Sequence, residues 1–166
     1  MLRILLNLAL AGLICLVVLG DRATLEQLLA FVPASLEEPP IESAPGAVTL
    51  KADARGHFLV AASVNGEKVR FLIDSGASHV VLSAGDAKRL GLQPKDRDFT
   101  EIYSTPGGTV RTAPVTLAEV RIGDLVVRNV RASVSALDMD VSLLGASFLA
   151  RLRGYEVNRG RLTLRW

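Results

Sequence analysis

The 166-residue sequence has little of what builds disulfide, metal or nucleic-acid sites. It has one cysteine, Cys15, so an intrachain disulfide is impossible. His57 and His79 are its two histidines, too few ligands for a structural zinc site, and we expect no metal and no cofactor. Its 19 Lys and Arg residues exceed Asp and Glu by two and form no basic run, which argues against nucleic-acid binding.

The apolar residues are concentrated at the N-terminus. The run Ile4 to Leu19 follows Arg3 and can enter a bilayer, so we expect a signal anchor, a transmembrane helix over residues 1–22. Positive charge ahead of the run favours a cytoplasmic N-terminus, with the remainder across the membrane. The alternative is a signal peptide cleaved after Gly20, which would release a secreted protein.

After this segment the composition changes twice. Residues 33–45 hold four prolines and three glutamates, which disfavours helix and sheet, so we predict a linker over residues 23–47 and a folded domain over residues 48–166. In that domain Asn65-Gly66 joins two β-rich runs and predicts a hairpin. Further predicted strands are Val80–Leu82, Phe99–Ser104, Thr109–Ala113, Val115–Ile122, Leu125–Val134 and a final pair ending at Trp166. Short helices after Ser83 and around 147–152 complete an all-β domain.

The segment with a chemical signal is Asp74-Ser75-Gly76-Ala77, which directly follows the apolar strand 71–73. A buried, unpaired carboxylate at a strand end is costly, which is understandable if Asp74 is kept for chemistry. The Ser75 hydroxyl can hydrogen-bond the structure beneath the acid, and Gly76 allows close approach of backbone or substrate. The alternative is an ordinary Asp-Ser-Gly turn.

These residues resemble the active-site signature of aspartic proteases, an apolar pair followed by Asp-Thr/Ser-Gly-Ala/Ser. From Gly56 to Trp166 the chain is similar to the retropepsin-like family, including its bacterial membrane-anchored members. The resemblance implies an acid-protease β-barrel, Asp74 as catalytic residue, and a domain on the non-cytoplasmic, periplasmic side. The sequence departs from the family pattern at Ser75, where threonine is commoner, and at Ser78, where retroviral enzymes often carry a second acid.

Three further elements agree with the family in order and spacing, one of which is Val120 to Val127, similar to the family's outer hairpin. A glycine-containing segment lies where the family has the flap hairpin that closes over substrate; it consists of Thr105, Pro106, Gly107, Gly108 and Thr109. Leu143-Leu144-Gly145 resembles the family's second apolar-Gly element, which lies beside the catalytic loop and leads into a short helix. His79 invites a general-base interpretation, but we expect a solvated or hydrogen-bonded histidine instead.

Hydrolysis of this kind needs two carboxylates that share one proton, and Asp74 is the only suitable aspartate. The others lack the apolar lead-in and the following Ser/Thr-Gly; they include Asp86, Asp96, Asp98, Asp124, Asp138 and Asp140. The resemblance therefore implies an aspartic endopeptidase that acts as a homodimer on extended polypeptide segments. The alternative is an inactive β-barrel module of the same fold that binds or scaffolds peptides.

Overall fold

Strands account for most of the computed structural model, which describes residues 41–105 and 107–166. The strands are β1 Ile41–Ala44, β2 Ala47–Lys51, β3 Leu59–Val64, β4 Glu67–Ile73, β5 Val80–Leu82, β6 Glu101–Thr105, β7 Gly108–Ile122, β8 Leu125–Ser135, β9 Ser142–Leu144, β10 Gly154–Asn158 and β11 Arg161–Arg165. The helices are α1 Ala84–Arg89, α2 Ala146–Leu149 and a 3₁₀ turn, Asp96–Asp98. The predicted all-β class with short helices is confirmed for this part of the chain.

Some predictions fall on residues that the structure does not describe. The predicted transmembrane helix over residues 1–22, residues 23–40 of the predicted linker, and Pro106 of the flap lie outside the described residues. Within the two described ranges, no helix is both long enough and apolar enough to cross a membrane.

Seven strands form a sheet that closes on itself. Their order is β3-β4-β9-β5-β8-β7-β6, and a further pairing of Val64 with Val120 joins β3 to β7. Alternate residues of β3 face inward, and Val60 and Val64 are fully buried with Phe71 of β4. This alternation is what a strand with one face on the core requires. The result is a barrel in which β6 is left as an edge strand beside β7.

The first hairpin of the barrel is the one that the sequence predicts. Asn65 and Gly66 both have positive φ, 51° and 95°, as a two-residue hairpin turn needs. Leu59 of β3 pairs with Leu72 of β4, so β4 ends with Ile73 at the side of the barrel opposite the turn. The hairpin thereby fixes where Asp74 leaves the sheet.

The four-stranded sheet corrects the predicted domain boundary. Its order is β1-β2-β11-β10, and β1 lies within the predicted linker, so folded structure begins by Ile41 and not near Val48. Ile41 packs against the core, which offsets the poor strand propensity of its neighbours. Pro45 lies in the turn, where its missing N–H costs no strand pairing, and Gly46 takes φ of 72°.

A second difference concerns β7, which is one strand where the sequence predicts two. Pro114 lies within it and pairs with Ser133 of β8. Its position is past the last β6 pair, at Thr112, and before the first β3 pair, at Val120. Along this stretch one edge of β7 has no partner among the described strands, so the missing N–H of proline is tolerated.

Helix α1 begins as predicted, with the Ser83 hydroxyl accepting a hydrogen bond from the Asp86 N–H at 3.1 Å. The Asp86 carboxylate is buried and accepts hydrogen bonds from Ser142 of β9 and from Arg89. These hydrogen bonds give Asp86 a structural role, because the bond from Ser142 connects α1 to β9, the strand beside β4.

Candidate active site

Asp74 lies directly after β4 and is half-buried. Its Oδ1 accepts a hydrogen bond from the Gly76 N–H at 2.9 Å, and its carbonyl oxygen accepts one from the Ala77 N–H at 3.2 Å. Oδ2 has no hydrogen-bond partner in the described part of the chain. Asp-Ser-Gly is thus a turn, as the alternative interpretation holds, and this turn hydrogen-bonds one of the two carboxylate oxygens.

Gly76 keeps the space beside this carboxylate open. A β-carbon at Gly76 would lie 3.2 Å from Oδ1 of Asp74, a contact tighter than most such contacts in proteins. Any side chain here would crowd the acid that it follows. The glycine is therefore explained by close approach, as the sequence predicts, and not by a left-handed backbone.

The predicted second apolar-Gly element runs along the loop of residues 74–78, called the Asp74 loop below. Strand β9 lies between β4 and β5, parallel to the first and antiparallel to the second. The Leu144 carbonyl accepts from the Asp74 N–H at 3.2 Å, and the Ala146 N–H donates to the Ala77 carbonyl at 2.8 Å. The Ser147 N–H donates to the Ser78 carbonyl at 3.1 Å. The loop is therefore held from both ends by backbone bonds to one segment.

The Ser147 hydroxyl adds a further support that the sequence did not indicate. It accepts a hydrogen bond from the Val80 N–H at 3.1 Å and donates one to the Arg131 carbonyl at 2.8 Å. It thereby joins the strand that follows the loop to β8. No local pattern reveals this role, because its partners lie 67 and 16 residues away in sequence.

Within a single chain, the Ser75 hydroxyl does not have the role that the sequence predicts. The sequence predicts that its hydroxyl bonds the structure beneath the acid, whereas in the structure the residue is exposed and makes no hydrogen bond among the described residues. Ala77 contributes through its backbone alone, in the two bonds given above. The Ser75 hydroxyl is left available to another molecule.

The predicted flap is a hairpin between β6 and β7. Thr105 pairs with Gly108, and Gly107 lies in the turn between them. The Thr105 hydroxyl donates to the Gly108 carbonyl at 2.7 Å, and Gly108 takes φ of 115°, which explains the glycine. Thr109 continues β7 opposite Ser104.

His79 follows the loop and is not placed as a base for Ser78. It is buried, its Nε2 lies 2.9 Å from Oγ of Ser133, and burial lowers its pKa. Its ring contacts Tyr103 of β6. The expectation of a hydrogen-bonded histidine is confirmed. Among the described residues, no group of three or more His, Cys, Asp or Glu side chains could hold a metal ion.

Comparison with known proteins gives a consistent family. Residues 60–151 match the family model of the gag-polyprotein putative aspartyl protease. An uncharacterised protein of the cobV 5′ region of Sinorhizobium is 39% identical over 119 residues, which is 71% of this chain and 51% of that protein. An uncharacterised protein of Rickettsia prowazekii is 34% identical over 121 residues, 73% of this chain and 52% of that protein. The chain thus spans about half the length of these relatives.

Two solved structures are similar to the described fold. A retropepsin-like aspartic protease from Rickettsia conorii superimposes with a TM-score of 0.66 and 33% identity, covering 79% of this chain and 97% of that one. The EIAV protease, in complex with the inhibitor HBY-793, superimposes with a TM-score of 0.52 and 21% identity, covering 66% of this chain and all of that one. The second likeness shows the fold alone.

Proposed function

The chain belongs to the retropepsin-like family of aspartic proteases, and on that premise we propose that it is an aspartic endopeptidase that cleaves extended polypeptide segments. The observation that carries this proposal is the Asp74 carboxylate, half-buried at the end of β4, with Oδ2 unpartnered among the described residues. The surrounding backbone bonds hold it in one position.

The proposed mechanism requires two chains. Asp74 of one subunit and Asp74 of a second would share one proton, because two like charges so close cannot both ionise. The ionised carboxylate takes a proton from water, whose oxygen attacks the peptide carbonyl carbon, while the protonated one gives its proton to the carbonyl oxygen. When the tetrahedral intermediate collapses and the C–N bond breaks, the carboxyl group that took the proton from water gives it to the leaving nitrogen. The other carboxylate takes a hydroxyl proton back as the carbonyl re-forms.

Features of the surface support association of two copies. The Ser75 hydroxyl, beside the catalytic acid, is exposed and has no partner within the described ranges. Tyr155 and Val157 are large, exposed apolar side chains on one face of β10, the edge strand of the four-stranded sheet. Exposed apolar residues on an unpaired strand edge favour pairing with another chain.

The edge position of β6 supports an extended substrate. Its outer edge has no strand partner among the described residues, so its backbone N–H and C=O groups can pair with a peptide in strand conformation. Ile102 of β6 is 69% exposed and offers an apolar contact to such a peptide. The substrate is then an unfolded or loop segment of a protein.

The test compares wild type with Asp74→Asn on an unstructured protein, with Asp124→Asn, in an exposed turn, as the matched control. We expect cleavage to be lost only in Asp74→Asn. Addition of an equal amount of Asp74→Asn subunits should roughly halve wild-type activity, because half of the wild-type chains then lie in mixed dimers. Unchanged activity after subunit exchange would contradict the shared site. Peptide binding without cleavage by wild type would favour the inactive peptide-binding module.

We further propose that residues 1–22 anchor the protein in a membrane, with the protease domain on the periplasmic side. The support is the apolar run Ile4 to Leu19 after Arg3. Sodium carbonate extraction of membranes from cells that express the full chain tests the anchor, and protease accessibility in spheroplasts tests the side. Release of an intact shortened chain into the medium would instead support signal cleavage.

A further inference from the structure

A polar cluster, buried at His79 and Ser133 and open to solvent at Arg131, joins the flap strand to the residue that follows the Asp74 loop. The rings of His79 and Tyr103 lie 4.7 Å apart between centroids at 61°, an edge-to-face contact. On the other side, Nε2 of His79 lies 2.9 Å from Oγ of Ser133 on β8. The Tyr103 hydroxyl donates to Glu101 at 2.7 Å, and Arg131 of β8 donates to the other Glu101 oxygen at 3.0 Å.

These contacts link the flap hairpin to the barrel. Glu101 and Tyr103 belong to β6, one arm of the flap hairpin, whereas Arg131 and Ser133 belong to β8 in the barrel. His79 directly follows the Asp74 loop in the chain, and its carbonyl oxygen lies close to Gly145 after β9. β6 has no strand partner other than β7 among the described residues, so side chains supply its hold on the rest of the barrel.

The geometry favours a neutral imidazole. His79 is 4% exposed, and burial lowers its pKa; the negative charge of Glu101 opposes this effect, and the positive charge of Arg131 adds to it. A neutral ring has one donor and one acceptor nitrogen, and the Ser133 hydroxyl can pair with Nε2 in either tautomer. A protonated ring would have two donors and a charge in a site that solvates neither well.

We propose that His79 is a positioning residue, whose buried imidazole, held by Ser133, supports Tyr103 and thereby sets the flap strand β6 relative to the Asp74 loop. Protonation of His79 places a charge at this buried contact, and β6 loosens because the charged ring is better solvated when water can reach it. The groups that face the imidazole are Glu101 and Tyr103 from β6, and Arg131 and Ser133 from β8. This role as a support for the flap rests on the proposed protease function, whereas the contact itself does not.

The test therefore uses amide hydrogen exchange in the inactive full-length Asp74→Asn chain, which needs no activity and cannot digest itself. Protection of residues 101–105, corrected for the chemical exchange rate, should fall severalfold between pH 7.5 and pH 5.0, because local opening of β6 becomes more frequent. In Asp74→Asn/His79→Asn it should be low already at pH 7.5 and change little with pH. Residues 154–158 of β10 report any global loosening.

Two substitutions at Tyr103 separate the ring contact from the hydroxyl. Tyr103→Phe keeps the ring and should keep the pH dependence of flap exchange, whereas Tyr103→Leu should abolish it. Ser133→Ala removes the hydrogen-bond partner of the imidazole and should lower flap protection at pH 7.5. This variant replaces His79→Asn in the test if His79→Asn does not fold. Equal flap protection with and without His79, or an equal fall in β10, would overturn the proposal. In active enzyme, His79→Asn should raise KM for a peptide more than it lowers kcat.

Discussion

A β-carbon on Gly145 would lie 2.5 Å from the carbonyl oxygen of Ala77. It would also lie 2.3 Å from the carbonyl oxygen of His79. Both are backbone atoms of the Asp74 loop and the residue after it, so neither can rotate away as a side-chain end can. Glycine is therefore required at position 145 because the backbone of the loop leaves no room for a β-carbon. The backbone conformation itself does not require glycine, since φ is an ordinary −96°.

Gly145→Ala should destabilise the domain by about 3 kcal/mol, because overpacking at a rigid contact forces the backbone apart. Chemical denaturation followed by circular dichroism measures the loss. Gly154→Ala is the matched control, since a β-carbon there meets nothing within 4 Å, and we expect a change within about 0.5 kcal/mol. Equal stability of the two variants would mean that the loop and the Gly145 segment separate without cost.

Gly108→Val should lower kcat/KM more than stability explains. The residue has φ of 115° at the flap tip, and no atom lies within 4 Å of a β-carbon there, so the cost is local backbone strain. Gly66→Val is the control: its φ is 95°, its surroundings are equally open, and it lies beyond the far end of β4, roughly 25 Å from Asp74. Both should lose about 1–2 kcal/mol of stability. A flap of no functional importance would give the two variants the same kinetics.

Val157→Lys should weaken self-association without unfolding the domain, because it places a charge on the exposed apolar edge strand β10. Sedimentation velocity over a dilution series measures the dimer dissociation constant, which we expect to rise about tenfold or more. Leu137→Lys is the control, because Leu137 is 54% exposed against 59% for Val157 and lies outside the four-stranded sheet. An equal rise of the dissociation constant in both variants would mean that the added positive charge weakens association wherever it is placed, and that β10 has no special part in the dimer.

The stability of the domain should depend on His79 in mildly acid solution. The pKa of His79 is lowered in the folded state, so the unfolded chain binds a proton at higher pH than the folded chain does. The free energy of unfolding should therefore decrease as pH falls below the ordinary histidine value of about 6.5, and level off below the folded pKa. The difference between wild type and His79→Asn, measured by urea denaturation from pH 8 to pH 5, should shrink with acidification. A constant difference would show that burial does not shift this group.

The sequence predicted the local features of the site and missed those that depend on distant contacts. Asn65-Gly66 and the Ser83 cap were predictable because each is set by a few neighbouring residues. The strand over 41–44 was missed, since its stability comes from pairing with β2 and from packing of Ile41. The prolines and glutamates of residues 33–45 instead predicted a linker there.

The same distinction holds within the candidate site. Asp74 and Gly76 were identified from one short motif, and their hydrogen bond is local. The contact of His79 with Ser133 spans 54 residues, and no pattern in the sequence relates the two positions. Tyr103 was part of a predicted strand, but which face it presents depends on the register with β7, where it pairs with Val110.

The insertion of β9 between β4 and β5 has a consequence for folding during synthesis. Val80 bonds to Ser147, 67 residues further along the chain, and Asp74 bonds to Leu144. Contacts of such high sequence separation form slowly, because a long loop must close before they contribute. A nascent chain that has left the ribosome only as far as the flap carries Asp74 in an unfinished loop. The Asp74 loop can therefore reach its final structure only after the segment from Leu144 to Ser147 has been synthesised.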